Sequence, residues 1–316
     1  MNATEEPTAP APPRRGRRLP WYVRLAVLAG CAWLLVSVID LGAAFERLRS
    51  IERGGLVLLF VLNTATYVLF AVRWSLFCGA LGLPPRLGGR LRGVYLLQVA
   101  SQVVPPVLGE GARFLSFPSG TSKVAILKSI ALDRLSNQVA LSTLVLALVP
   151  FYARSGYPSW FLGVLALPAL GLGAVALLGR RVLPASWRER FDFLTLLTRP
   201  GLALRSLGLG WVLCTLTALE FWVAARALGV DVDGTIALFA PAQCLAVALA
   251  PFSFGEWGVR EVVALVALEP TGIAAEEAVA ISMTLGLVNV VASLPGLALF
   301  FVGGSVREDA GSEPHG

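Results

Sequence analysis

Carboxylates and arginines stand close together in two strongly apolar parts of the chain. Glu110 and Arg113 are three residues apart in the first part. Glu256 and Arg260 are four apart in the second, where Glu261 follows Arg260 directly. Both spacings place a pair on one face of a helix, where the two charges can neutralise each other. An arginine fork binds phosphate through two parallel hydrogen bonds, and a neighbouring carboxylate can orient it or exchange protons. These residue types and spacings therefore indicate a site where an anionic group could bind.

Three more charges fall deep inside apolar stretches. Asp133 and Arg134 lie about 15 Å of helix rise beyond Lys123, and Glu220 is far inside its own stretch. An unpaired charge at the centre of a bilayer costs about 2.5–3.5 kcal/mol, so each group needs a partner or water. Two interpretations stay open: the charges line a polar cavity that binds substrate, or ion pairs merely fasten the helices together. The candidate substrate-binding residues are Glu110, Arg113, Asp133, Arg134, Glu220, Glu256, Arg260 and Glu261.

Histidine and cysteine chemistry is not expected. The sole histidine, His315, lies near the C-terminal end, and the cysteines are scattered singly at positions 31, 78, 214 and 244, without metal-ligand spacing. We therefore predict no catalytic residue, no metal site and no cofactor. The net charge of +6 fits membrane topology and contact with anionic lipids, so no nucleic-acid partner is predicted.

The elements that must hold these charges are membrane-spanning helices. Hydrophobic residues make up 56% of the 316, charged residues make up 15%, and the mean hydropathy is +0.73. Such an apolar excess must face lipid, and about 20 apolar residues cross the hydrocarbon core as a helix. The sequence therefore predicts an all-α polytopic membrane protein. About six full transmembrane helices are predicted, at Trp21–Leu41, Gly55–Cys78, Val124–Phe151, Trp160–Leu178, Leu204–Leu228 and Ala278–Val302.

Two further apolar segments, near 92–119 and 234–268, are broken by proline and glycine. Each has an apolar half, then the break, then a second half that begins with Gly-Glu. Irregular backbone at membrane depth is tolerated only where protein or a water-filled cavity satisfies it. We interpret both segments as re-entrant helical hairpins, one from each face of the membrane, with their tips near the midplane.

The interrupted segments belong to a weak internal duplication. RWSLFCGALGLP and LLQVASQVVPPVLGEGAR in the first copy match EFWVAARALGVD and CLAVALAPFSFGEWGVRE in the second, at an offset near 147 residues. The copies cover about 55–151 and 204–303. The match pairs Trp74 with Trp222, Ala80-Leu81-Gly82 with Ala227-Leu228-Gly229, and Pro105, Gly109 and Glu110 with Pro251, Gly255 and Glu256.

The distribution of basic residues predicts the orientation. Arginine and lysine cluster before the first span and within 86–92, 123–128 and 180–200, whereas the loops after 230 and 268 are acidic. Since positive charge stays inside, both termini are predicted to be cytoplasmic. We expect a disordered tail at 1–20, a single transmembrane domain at 21–303 and a short tail at 304–316. The two copies then cross the membrane in opposite directions, which makes the duplication an inverted-topology repeat of the kind that transporters use.

Four tracts carry a resemblance to a known family: RWSLFCGALG, VVPPVLGEGARFLSF, LKSIALDRLSNQ and APFSFGEWGVREVV. In their order and spacing, over about residues 55–303, the chain resembles the transmembrane domain family of the lysylphosphatidylglycerol synthase/flippases. The resemblance implies a membrane domain that moves or binds lipids with phosphate headgroups. The aminoacyl transferase domain of the two-function members is not expected, because only residues 303–316 follow Val302. The family's polar tracts fall on Glu110, Arg113, Asp133, Arg134, Arg260 and Glu261, and Glu256 departs from the small residue expected there.

We predict a lipid flippase-like transporter, not an enzyme, in a bacterial cytoplasmic membrane. Its expected partners are anionic or polyprenyl lipids with phosphate headgroups, and further copies of itself or a partner enzyme. A membrane-embedded glycosyltransferase is a second hypothesis, for which the cue is Asp231-Val232-Asp233 in a short loop predicted to be external. Two more hypotheses stay open: a non-transporting protein that holds lipid for another enzyme, and an ion- or solute-coupled transporter.

Overall fold

The computed structural model describes residues 49, 51–84, 86–103, 106–118, 120–154, 192–232, 259–268, 272–296 and 298. Every secondary-structure element in those ranges is a helix, which confirms the all-α class for this part of the chain. The predicted spans Trp21–Leu41 and Trp160–Leu178 lie outside the described residues. Glu256 and the break of the second interrupted segment lie outside them as well.

The described elements follow one another along the chain as helices of very different length. They are α1 (Arg53–Ala80), α2 (Leu87–Val103), α3 (Pro106–Gly109), a 3₁₀ helix (Glu110–Ser116), α4 (Lys123–Arg154), a second 3₁₀ helix (Asp192–Thr198), α5 (Pro200–Ala227), α6 (Val259–Leu268) and α7 (Ala275–Ser293). Together, α3 and the first 3₁₀ helix form what we call the return segment, residues 106–116.

Among the described helices, α1, α5 and α7 are long and apolar enough to cross a membrane. The first two have 28 residues each, about 42 Å of helix rise. They coincide with the predicted spans Gly55–Cys78 and Leu204–Leu228, and α7 begins at Ala275 where the sequence predicts Ala278. The predicted span Val124–Phe151 lies within α4, one continuous helix of 32 residues. The total of six spans stays a prediction.

The helices α1 and α5 pack against each other as an antiparallel pair. The backbone N–H of Glu52, just before α1, donates to the carbonyl of Ala227, at the end of α5, over 3.0 Å. Further along α1, Thr66 bonds to Glu220, which precedes Ala227 in α5. Gly55 allows the close approach, because a Cβ in its place would lie 2.5 Å from the Cβ of Ala227. Small residues let two helix backbones approach in this way within a membrane.

The two helices of this pair also end in the same way. Each closes with Ala-Leu-Gly, and the glycines, Gly82 and Gly229, have φ angles of 69° and 73°, a left-handed conformation that glycine adopts without strain. In both, the amide one residue beyond the glycine closes a Schellman cap with a bond of 2.9 Å. Equal lengths and equal ends are what a duplication with an offset of 147 residues predicts.

The offset of 147 residues between α1 and α5, which we call the register of the two copies, corrects one detail of the sequence match. The match pairs Trp74 with Trp222, but helices of equal length place Phe221 at the position equivalent to Trp74. Trp74 and Phe221 are both buried, whereas Trp222 is only partly buried at the edge of the core. The pairing with Trp222 is therefore wrong by one residue. The same register makes Arg73 the counterpart of Glu220, and both of these charged side chains are buried.

The first interrupted segment doubles back on itself. A Cβ on Gly93 would lie 2.9 Å from the Oγ of Ser116, and a Cβ on Gly109 would lie 2.7 Å from the Oγ of Ser101. These contacts place α2 and the return segment side by side in opposite directions. The predicted helix–break–helix hairpin therefore agrees with the structure at 92–119, while its re-entry into a membrane stays a prediction. Of the second interrupted segment, the structure describes α6.

Trp74 is the centre of the apolar core that joins α1 to this hairpin. Its indole ring packs edge-to-face on Phe117 with ring centroids 5.8 Å apart, and its Nε1 donates to the Oγ of Ser129 over 3.0 Å. Tyr67 of α1 and Val94 of α2 are buried in the same cluster. The core therefore fixes α1, the hairpin and α4 relative to one another, next to the charged residues that follow.

Candidate functional site

Five charged side chains from three elements meet beside Trp74. They are Arg73 on α1, Glu110 and Arg113 on the return segment, and Asp133 and Arg134 on α4, and we call them the charge cluster. All but Arg134 are buried. The hairpin makes the cluster possible, because it carries Glu110 and Arg113 back against the middle of α4.

Asp133 is the acceptor that joins the three elements. Its side chain is 1% exposed. Arg73 donates from Nε to Oδ1 over 2.8 Å, and Arg113 donates from Nη1 to Oδ2 over 2.9 Å. Arg73 also donates to the Oδ1 of Asn137, one turn further along α4, over 2.6 Å. Loss of the Asp133 charge would leave Arg73 without a counter-ion inside the protein.

Glu110 links the buried arginines to an exposed one. Its Oε2 lies 3.1 Å from the Nε of Arg113, an ion pair without hydrogen-bond geometry. Its other oxygen accepts a hydrogen bond from the Nε of Arg134. The cluster is thus a chain of alternating charges that runs from the interior to the surface, in the order Arg73, Asp133, Arg113, Glu110, Arg134.

The charge cluster carries one more positive charge than negative charges. Three arginines face two carboxylates, and the excess lies at Arg134, whose side chain is 47% exposed. Among the described residues, Glu110 is the one partner of Arg134, and it bonds to Nε. The two terminal nitrogens of Arg134 therefore keep their donors available to an outside group. This arrangement suits an anion that binds to the open end of an arginine fork.

Cation–π contacts hold the aromatic side of the cluster. The guanidinium of Arg113 lies 4.7 Å from the ring centroid of Trp74, and that of Arg90 lies 5.3 Å from it. Arg90 also lies 4.2 Å over the ring of Phe117 and donates from Nη2 to the carbonyl of Pro84 over 2.6 Å. Such contacts stabilise guanidinium groups that have left water. The contact with Trp74 therefore helps to fix the position of the Arg113 guanidinium.

Two predicted residues of the second copy form a separate pair. The Nη2 of Arg260 lies 2.8 Å from the Oε1 of Glu261, and its Nε donates to the Oγ of Ser282 on α7 over 3.1 Å. The predicted partner Glu256 lies outside the described residues. Arg260 follows Arg113 by 147 positions, and each arginine reaches from its interrupted segment to the long helix that comes next.

Glu220 lies in a third place, between α5 and α1. Thr66 donates from Oγ1 to its Oε1 over 2.8 Å, and Asn63 lies beside the same carboxylate. Thr66 precedes Arg73 by seven residues on α1, which is about 10 Å of helix rise. Glu220 is thus separate from the charge cluster. The cluster brings together four of the predicted site residues, namely Glu110, Arg113, Asp133 and Arg134.

Sequence reasoning missed Arg73 and Asn137 in the cluster, and Thr66 and Asn63 beside Glu220. Arg73 stands in the tract RWSLFCGALG, but a single arginine near the end of a span has the pattern of an interfacial anchor. The signal that could have found it is the duplication. Arg73 precedes Glu220 by 147 residues, so both copies carry a charge at the same depth of their first span.

Asp231, the start of the glycosyltransferase cue, lies on the surface. Its side chain is 87% exposed and pairs with the Nη1 of Arg226 at 2.9 Å, the geometry of an ordinary surface ion pair. Asp233 lies outside the described residues. In the part of the chain that the structure describes, no group of three histidine, cysteine or acidic side chains is placed to hold a metal ion.

Comparison with known proteins assigns the chain to a family of membrane domains. The family model for the lysylphosphatidylglycerol synthase transmembrane region matches residues 21–296. The chain belongs to this family. The match includes the predicted first span Trp21–Leu41 and helices α1 to α7. No curated protein and no solved structure matches the chain.

Membership in the lysylphosphatidylglycerol synthase transmembrane-region family has two consequences. Together with the apolar helices, it makes the protein an integral membrane protein. It also connects the protein with a function that involves membrane lipids. The matched range contains the charge cluster, the Arg260–Glu261 pair and Glu220, so the charges described above belong to the family's transmembrane region.

Proposed function

We propose that this protein moves lipids with phosphate headgroups across a bacterial cytoplasmic membrane, as a flippase-like transporter with the charge cluster as its headgroup site. The observation that carries the proposal is the unequal charge of the cluster. Three arginines face two carboxylates, and the least buried arginine is at the outer end. Family membership supports a lipid as the substrate. Both termini lie on the cytoplasmic side in this proposal.

Arg134 makes the first contact with the headgroup. A phosphate at its terminal nitrogens receives two parallel hydrogen bonds, which a planar guanidinium provides better than an ammonium group does. The phosphate then competes with Glu110 for Arg134, because both anions bind the same guanidinium. The acyl chains stay in the bilayer against the apolar outer faces of α1 and α5, where large side chains such as Val57, Val61 and Leu204 are exposed.

Release of Glu110 gives the phosphate access to Arg113. In the observed state Arg113 is held by Asp133 and Glu110 and lies against Trp74, so a phosphate must displace a carboxylate to reach it. Exchange of one anion for another keeps each guanidinium paired throughout, which avoids the cost of an unpaired charge inside the membrane. Asp133 is a positioning residue in this scheme, because it holds Arg113 in place from the buried side.

The antiparallel pair of α1 and α5 supports an alternating mechanism. In transporters with inverted repeats, the two halves open to opposite sides of the membrane in turn. Here α1 and α5 have equal lengths and equal ends, and Arg113 and Arg260 occupy equivalent positions of the two copies. We propose that Arg260, with Glu261, receives the headgroup in the state that opens to the opposite side.

A lipid-dependent stability measurement tests the headgroup site. Purified protein in a neutral detergent is titrated with phosphatidylglycerol or with diacylglycerol, which lacks the phosphate, because a ligand that binds the folded state raises Tm. Phosphatidylglycerol should raise the Tm of the wild type more than that of Arg134→Ala. Arg226→Ala removes an arginine of similar exposure, 51%, that also has one carboxylate partner, and it should respond like the wild type. The same response to phosphatidylglycerol in all three proteins would contradict the site.

A further inference from the structure

We propose that Glu220, with Thr66 and Asn63, forms a proton-binding site inside the α1–α5 pair, and that lipid movement is coupled to uptake and release of this proton. The coupling rests on the proposed function. The proton site itself stands on the contacts of the three residues.

Glu220 projects from α5 into its contact with α1. It precedes the end of α5 at Ala227 by seven residues, which is about 10 Å of helix rise. Its buried side chain accepts a hydrogen bond from the Oγ1 of Thr66 over 2.8 Å. Asn63 lies one turn before Thr66 on the same face of α1 and beside the carboxylate. The buried Oδ1 of Asn63 has no hydrogen-bond partner in the described part of the chain.

The groups that interact with the Glu220 carboxylate are neutral. They are Thr66 and Asn63. Arg73, the nearest cation along α1, is bonded to Asp133 and Asn137 instead. The described elements that pack against α5 carry other charged or titratable groups, and none of these is a partner of Glu220. They are Tyr67 on α1, Asp133 on α4, Asp192 on the second 3₁₀ helix, Glu276 and Glu277 on α7, and Cys214 and Arg226 on α5 itself.

These contacts suit a protonated carboxyl group. Thr66 and Asn63 are both hydrogen-bond partners of the carboxylate, but neither carries a positive charge, so a deprotonated Glu220 keeps an uncompensated buried charge. A protonated carboxyl has no charge and gains an O–H donor, for which the Oδ1 of Asn63 is the available acceptor. Uptake takes one H⁺ from water and forms an O–H bond on Glu220. Release breaks that bond and returns H⁺ to water, so no other reactant is needed.

The location of Glu220 links the proton to lipid movement. In the register of the two copies, Glu220 holds the position that Arg73 holds in the first copy. Arg73 has Asp133 as its counter-ion, and in the second copy the proton takes the place of a counter-ion. One proton carried with one anionic headgroup makes the moving charge zero. The membrane potential then does not oppose the passage of an anionic lipid.

Infrared difference spectroscopy on the full chain in lipid vesicles tests the proton site. A change of pH should reveal the band of a buried protonated carboxyl in the wild type and in Asp231→Asn, and the band should vanish in Glu220→Gln. Asn63→Leu removes a hydrogen-bond partner of the carboxyl group, so its band should shift to higher frequency, as the C=O stretch of a less hydrogen-bonded carboxyl does. No such band in the wild type, or an unchanged band in Glu220→Gln, would overturn the inference.

Lipid transfer under an imposed pH gradient tests the coupling. Reversal of the gradient across the vesicle membrane should change the transfer rate of the wild type several-fold and leave that of Glu220→Gln unchanged. A wild-type transfer rate that does not change with the pH gradient would overturn the coupling and leave the lipid function intact. A normal carboxyl band in a protein that moves no lipid would support the proton site and overturn the proposed function.

Discussion

Arg113 and Asp133 are twenty positions apart in the sequence, and their side chains meet at 2.9 Å from Nη1 to Oδ2. The contact exists because the return segment folds back beside α2 and presents Arg113 to the middle of α4. Both side chains are buried, so the ion pair sets how the hairpin sits on α4. The same pair occupies the Nη1 of Arg113, so an outside anion must displace a carboxylate to reach this guanidinium. One contact therefore connects the stability of the fold to access to the site.

Asp133→Asn should destabilise the protein strongly. The asparagine keeps the shape but removes the one negative charge between Arg73 and Arg113, and such a loss within a buried ion pair costs about 3–5 kcal/mol. Thermal unfolding in detergent should show a markedly lower Tm than that of the wild type. Asp231→Asn removes a carboxylate from an exposed ion pair and should leave Tm almost unchanged. Equal Tm losses in the two variants would show that the cluster does not hold these elements together.

Gly55→Ala should weaken the packing of α1 on α5. The new Cβ would lie 2.5 Å from the Cβ of Ala227, and overpacking of this kind costs about 1–3 kcal/mol. The double variant Gly55→Ala/Ala227→Gly returns the space to the pair and should recover part of the lost Tm. Gly208→Ala is the matched control within α5, because nothing lies within 4 Å of its Cβ position. That change should be neutral or stabilising by up to about 1 kcal/mol, since alanine favours a helix.

A Gly55→Ala protein with the Tm of the wild type would show that α1 and α5 do not touch at this position. Loss of Tm in Gly208→Ala to the same extent would mean that α5 tolerates no added side chain anywhere, which the structure does not predict.

Arg260→Ala should stop headgroup transfer without unfolding the protein. Loss of a charge-assisted hydrogen bond to the headgroup costs about 1.5–3 kcal/mol, so the transfer rate should fall by about tenfold or more. Arg205→Ala, at an exposed position of α5, serves as the control and should transfer lipid normally. Arg205→Ala should keep the Tm of the wild type, whereas Arg260→Ala should stay folded with a lower Tm, because the buried Glu261 loses its ion pair. If Arg260→Ala transfers lipid at the rate of the wild type, Arg260 of the second copy does not bind the headgroup during transport.

The sequence was sufficient to predict the long apolar helices and the first hairpin. Apolar length alone predicts α1, α5 and α7, because only a helix satisfies the backbone of such a stretch in lipid from within the stretch itself. Proline and glycine between two apolar halves predict the reversal at 92–119, which the contact of Gly93 with Ser116 bears out. Charges deep in apolar stretches predict which residues need partners, and Glu110, Arg113, Asp133 and Arg134 are indeed together.

The sequence was not sufficient to predict which charged side chains pair with each other. Helical spacing predicts that Glu110 pairs with Arg113, and this ion pair exists at 3.1 Å. The hydrogen bond of Arg113, however, goes to Asp133, and that of Glu110 comes from Arg134. These contacts join elements twenty or more positions apart, so they depend on how the hairpin packs on α4 and not on the period of a helix. Arg73 was missed for the same reason.

Lipid transfer by a variant without the exposed Arg134 tests the headgroup site most directly. Wild type, Arg134→Ala and Arg226→Ala are reconstituted into proteoliposomes with a fluorescent anionic phospholipid, and its transfer between leaflets is followed by quenching from outside. We predict transfer by the wild type and by Arg226→Ala, and transfer about tenfold slower or worse by Arg134→Ala, because the phosphate loses its charge-assisted contact. Transfer by folded Arg134→Ala at the rate of the wild type would contradict the charge cluster as the headgroup site.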